Sequence, residues 1–166
     1  MNSNISRKVL LGGVASIGLA TATEFAGRAA QSAVVGAWKL ESFNERVADG
    51  SFKPRFGPNP VGYLIYTASG RVSATLSGIH RQALTSGDTS AAAAHCNESV
   101  HDFLAYAGTY EIKGSTVFHT IETSVFTNLV GVTLKRGFQL SGDKLVIRTL
   151  PPYVWGTQSM LVWRRS

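Results

Sequence analysis

Cysteine is almost missing from this chain: Cys96 stands alone, so no intramolecular disulfide can form and stability has to come from packing. A single thiol of this kind is most often a buried one. Charge is sparse as well, at 16% against 44% hydrophobic residues, which excludes an intrinsically disordered chain and leaves enough apolar material for a core. No basic run carries interleaved aromatics, which speaks against a nucleic-acid partner. A glycine-rich phosphate loop and a Gly-x-Ser-x-Gly elbow are both absent, so the motif-borne forms of nucleotide and acyl-transfer chemistry drop out. The longest apolar run, "VLLGGVASIGLA" from Val9 to Ala20, falls short of the roughly 20 residues a membrane-spanning helix needs.

That run has another use. Arg7 and Lys8 precede it and the small-residue stretch "TATEFAGRAAQS" follows, the layout of an export signal cleaved between Ala22 and Ser32. "SRKVLL" resembles a twin-arginine signal with Lys8 in place of the second arginine. Residues 1–32 are therefore read as leader and 33–166 as one domain, exported to the periplasm or beyond, with no stable membrane insertion once the signal is gone. Arg7, Lys8 and Arg28 against Glu24 supply +2 of the formal +6, so the domain itself carries +4, an ordinary solubility charge.

From Val34 the chain reads as short alternating runs divided by turn residues. "GAWKLESFNERV" ends at the hairpin signal Asp49-Gly50, and the prolines of "PRFGPNPVG" mark a loop. "GYLIYTASGRVSATLSG" makes two strands about Ser69-Gly70. "GDTSAAAAHCNESVHDFLAYAG" breaks the pattern: it is alanine-rich, with Asp88 and Thr89 or Ser90 as N-caps and Val100, Phe103 and Leu104 as apolar positions, and is expected to be a helix acting as lid or flank. Strands resume in "GTYEIKG", "STVFHTIETSV", "GVTLKRGFQLSGD", "DKLVIRTLPP" and "QSMLVWRR". None is a long continuous apolar run of the parallel-sheet kind. The expected fold is all-β, an antiparallel up-and-down barrel of about eight strands with one short helix.

Strand alternation divides each run into two faces. In "STVFHTIETSV" the more apolar face carries Val117, His119, Ile121, Thr123 and Val125, which points His119 inward. The same test puts Tyr106 and Tyr110 on one face of "FLAYAGTYEIK", and Arg136 with Phe138 on one face of "GVTLKRGFQL". Tyr63 and Tyr66 fall on opposite faces of their strand, so only one can join this set. Tyr63, with Ile65, is the one assigned to the ligand-contacting group. An interior of this kind is either a closed core with Arg136 reaching the rim, or a cavity whose polar groups meet a ligand.

"GAWKL", with Gly36 two positions before Trp38, looks like the Gly-x-Trp signature of lipocalins. With "GPNPVGYLIYTASGRVSA", "FLAYAGTYEI", "TVFHTIETS", "RGFQLSGDKLVIRT" and the closing "LVWRR", the chain from Val35 to Arg165 resembles bacterial and fungal lipocalin-like domain proteins. The resemblance implies an antiparallel barrel open at one end and lined by apolar and aromatic residues. It also implies that Gly36 and Trp38 are structural, Trp38 plugging the closed end under a basic residue, Arg164 or Arg165, with Arg148 in competition.

Two readings of function follow. In the first, the barrel binds a small, mostly apolar or aromatic molecule through Tyr63, Ile65, Tyr106, Tyr110, His119, Ile121, Arg136 and Phe138. In the second, it is a lyase, isomerase or cyclase without cofactor, with His119 as general acid or base and Tyr106, Tyr110 and Arg136 orienting the substrate. Glu122 would reach His119 only across a bulge and is left out. His80, His95, Cys96 and His101 match no tight zinc spacing, so no metal is expected.

Overall fold

The computed structural model describes residues 29–79 and 102–166. Among these described residues nine strands follow in chain order: β1 (Gly36–Arg46), β2 (Phe52–Pro54), β3 (Val61–Tyr66), β4 (Arg71–Ser77), β5 (Phe103–Lys113), β6 (Thr116–Ser124), β7 (Thr133–Ser141), β8 (Lys144–Thr149) and β9 (Ser159–Arg165). All neighbouring pairs are antiparallel, and the pairing of β1 with β9 closes β1 and β3–β9 into an eight-stranded barrel. The three-residue β2 pairs only with the end of β1. This is the expected architecture. His80, His95, Cys96, His101 and most of the expected lid helix lie outside the described residues. Phe103 and Leu104, counted among that helix's apolar positions, instead open β5.

β4 shows why the sequence takes this form. Its apolar Val72, Ala74 and Leu76 alternate with Arg71, Ser73, Thr75 and Ser77, and the first set is buried. A period of two lets a half-buried strand satisfy the core and the solvent together. Two irregularities shift this phase. Between Leu40 and Ser42 the β1–β9 register slips, and inward positions pass from Trp38 and Leu40 to Phe43. Between Ala107 and Gly108 the β5–β6 register slips opposite Glu122. A Cβ at Gly108 would run into the Thr120 carbonyl, so the close backbone approach at this bulge needs glycine.

One end of the barrel is plugged. Trp38 is fully buried, with its Nε1–H donating to the Val34 carbonyl at 2.8 Å, and the Arg165 guanidinium stacks 4.1 Å from the Trp38 ring centroid. Of the three arginines considered for that place, Arg165 takes it, and it also donates to the carbonyls of Val35 and Ala33. Gly36 has φ +137°, and a Cβ there would stand 2.9 Å from Arg165 Nη1, so the glycine makes room for the guanidinium that covers the tryptophan. Residues 29–34 are helical; Ala30 and Val34 pack on the core. The folded body thus reaches back into the stretch read as leader.

Candidate functional site

The middle of the barrel holds the polar groups. β6 places His119 inward between Val117 and Ile121, and its ring is 1% exposed. β5 brings in Tyr106 and Tyr110, and β3 brings in Tyr66, all buried. The Tyr66 hydroxyl lies 2.7 Å from His119 Nε2 and the Tyr106 hydroxyl 2.9 Å from Nδ1, so both imidazole nitrogens are engaged. Tyr110 pairs with His119 across the strands but turns away from it, donating to the Thr67 carbonyl at 3.0 Å, while its ring lies 4.7 Å from that of Tyr66.

Arg136 on β7 is 8% exposed, inside the barrel. It sits diagonally from His119 across the β6–β7 ladder, where His119 faces Leu134 and Val117 faces Arg136. The ion pairs among the described residues join surface side chains, and Arg136 takes part in none of them. It acts on Tyr106, whose ionised form it favours by charge and hydrogen bonding.

Burial dominates the electrostatics. Burial first, and then the Arg136 charge, lower the His119 pKa to about 3, so the imidazole is neutral near pH 7. Tyr66 is raised well above its usual value, first by burial and then by Tyr106. Tyr106 is raised by burial against the opposing pull of Arg136, and Tyr110 by burial against a hydrogen bond from Gln31. Every hydroxyl here therefore keeps its proton.

A neutral imidazole has one N–H and one lone pair, so one tyrosine donates to it and the other accepts. In one ordering Tyr106 donates to Nδ1 and Nε2–H donates to Tyr66. In the other, Tyr66 donates to Nε2 and Nδ1–H donates to Tyr106, which frees the Tyr106 hydroxyl proton for a further partner. Of this pair, Tyr106 lines open space inside the barrel.

That space is a cavity of about 30 Å³ beside Tyr106, His119 and Arg136. One water needs roughly 10–15 Å³ by the same measure, so the interior is not packed shut. Apolar side chains including Leu64, Leu76, Ile147 and Leu161 make most of its wall. Phe43, Leu104 and Trp155 border both this cavity and an outer pocket of about 220 Å³ at the barrel mouth, which Phe56, Phe103 and Phe126 also line. Phe43 and Phe56 meet edge to face at 5.1 Å, and Trp155 packs against Phe126 at 6.1 Å.

Of the residues singled out from the sequence, His119, Tyr106, Tyr110, Arg136 and Ile121 are brought together in the interior. Phe138 is half-buried against the core. Tyr63 and Ile65 are not there: they are 49% and 43% exposed on the outer face of β3, and Leu64 and Tyr66 take the inward places. Thr123 and Val125 also leave the inward face, because the bulge at Glu122 reverses the alternation beyond Ile121. Glu122 itself is exposed and pairs with Arg71 at 2.7 Å, away from His119.

Tyr66, Trp163 and Trp155 were missed. For Tyr66 a signal existed. β3 is apolar on both faces, but β4 is not, and the short turn between them pairs Tyr66 with Val72 and Leu64 with Ala74. Cross-strand partners share a face, so the unambiguous strand decides the ambiguous one. Among the described residues no group of three His, Cys, Asp or Glu could hold a metal ion.

A family model described as a lipocalin-like domain matches residues 35–166. No curated protein matches the chain.

Proposed function

The chain belongs to the lipocalin-like domain family, and from that premise we propose that it binds a small, mostly apolar molecule inside the barrel, entering at the Phe43, Phe126 and Trp155 end. The observation that carries this is the unfilled space beside Tyr106, His119 and Arg136, continuous in its lining residues with the aromatic mouth. Polar groups kept in an apolar interior next to open space are the general make-up of a small-molecule site. Delivery outside the cytoplasm is part of the proposal and rests on Arg7, Lys8 and the apolar run that follows them.

The enzyme reading asks His119 to exchange protons during turnover. An imidazole with a pKa of about 3 has little tendency to take up a proton near neutral pH. The arrangement therefore serves binding, with His119 as a hydrogen-bonding hub between two tyrosines, better than acid–base turnover.

The test is titration with N-phenyl-1-naphthylamine, a neutral dye that brightens in apolar sites. One saturable site per chain is expected, with tryptophan emission changing in parallel, since Trp155 and Trp163 both line the cavity. Ala74→Leu, which extends a side chain into the inner cavity, should weaken binding at least about tenfold. Tyr63→Ala, on the outer face, should leave binding as it is. A non-saturable response from the folded protein would sink the proposal.

A further inference from the structure

We propose that the molecule this cavity takes is an apolar acid, a compact hydrophobic body bearing one carboxylate, with the carboxylate seated between Arg136, Tyr106 and Trp163. This rests on the binding reading above and narrows it to a ligand class.

Two independent observations point to an anion. Arg136 is a buried cation that belongs to no ion pair among the described residues. A buried charge is expected to have a partner, because desolvation is otherwise uncompensated. Trp163 is 2% exposed, and its Nε1–H is a buried donor with no partner among the described residues. Both residues line the same cavity, together with Tyr106. Indole N–H groups can only donate, and so can guanidinium groups.

The rest of the wall agrees. Among the described residues that line it there is no Asp or Glu, and the Thr149 hydroxyl is already accepting from the Ser159 amide at 2.6 Å. With Tyr66 donating to Nε2 and Nδ1–H donating to Tyr106, the Tyr106 proton is free to turn toward the cavity. The site then offers three kinds of donor and one positive charge. A carboxylate matches this with two acceptor oxygens and a single negative charge. A phosphate dianion would bring more charge than one guanidinium balances in apolar surroundings. The inner cavity of about 30 Å³ suits a head group, and the hydrophobic body would extend past Phe43, Leu104 and Trp155 into the outer pocket of about 220 Å³.

The experiment compares 1-naphthoate with 1-naphthalenemethanol, near-equal in shape and different in charge, by calorimetric titration of the full chain at pH 7. The wild-type protein should prefer the acid by about 10- to 100-fold, the range of hydrogen bonds to charged groups. Arg136→Gln should reduce that preference to within about twofold. Trp163→Phe, which keeps an aromatic ring but not the N–H, should reduce it by a smaller factor. If Arg136→Gln does not fold, the wild-type comparison still decides, since it needs no variant. Equal affinity for acid and alcohol overturns the carboxylate seat and leaves the apolar binding site standing. An acid preference that survives Arg136→Gln in a folded protein also overturns it. Failure of both compounds and of the neutral dye overturns the binding reading itself.

Discussion

His119 carries a consequence for stability that does not depend on any ligand. Its folded pKa of about 3 lies below the unfolded value of 6.5, so between these pH values the unfolded chain binds a proton that the folded barrel refuses. Stability from this residue is fully present above pH 6.5 and is lost as the pH falls toward 3, at up to about 1.4 kcal/mol per pH unit. Tyr66, Tyr106 and Arg136 are the ionisable groups around the ring, and the tyrosines stay neutral throughout this range. His119→Gln, which can still hydrogen-bond to both tyrosines, should be less stable at pH 7 but should flatten the decline between pH 6.5 and 5. Urea midpoints of the two proteins, followed against pH, check this. Parallel profiles would mean that the histidine is not held neutral.

At the scale of elements, the plugged end shows how one strand's glycine serves another strand's arginine. Gly36 at the start of β1 leaves the space in which Arg165 of β9 lies over Trp38. Gly36→Ala combines an unfavourable backbone conformation with displacement of that guanidinium and should destabilise the fold by about 2–4 kcal/mol. Arg165→Ala should remove part of the same stabilisation, so the double variant should lose less than the two single losses added together. Thermal unfolding of the four proteins measures this coupling. The two bulges act differently, since each re-aims the side chains beyond it. One brings Phe43 to the mouth, and the other removes Thr123 and Val125 from the interior.

As a whole molecule, the barrel has one continuous ladder from β1 around to β9, leaving β2 as a short addition beyond the end of β1. With strands paired on both sides and one interior core, unfolding should be a single cooperative transition, coincident by tryptophan fluorescence and far-ultraviolet circular dichroism. A ligand confined to the folded interior should raise stability by about 2.7 kcal/mol at a concentration of 100 Kd. Separate transitions for the two probes would show that the barrel does not unfold as one cooperative unit.

The sequence by itself determined the barrel, because alternation with turn residues is a local signal that each strand carries within its own few residues. It also determined that His119, Tyr106, Tyr110 and Arg136 point inward, since the strands bearing them each have one clearly more apolar face near those positions. β3 was legible only through its neighbour: Tyr63 and Ile65 look as apolar as Leu64 and Tyr66 until the pairing with β4 fixes the face. The bulges could not be read, because an extra residue in a strand depends on the register of its partner and not on its own composition. Only the tertiary structure decided that Tyr66 and Tyr106, far apart in the chain, engage the two nitrogens of one imidazole. It alone showed Arg136 and Trp163 lining one small cavity with no acidic side chain among the described residues of its wall. Strand pairing and closure set those distances, and no stretch of sequence contains them.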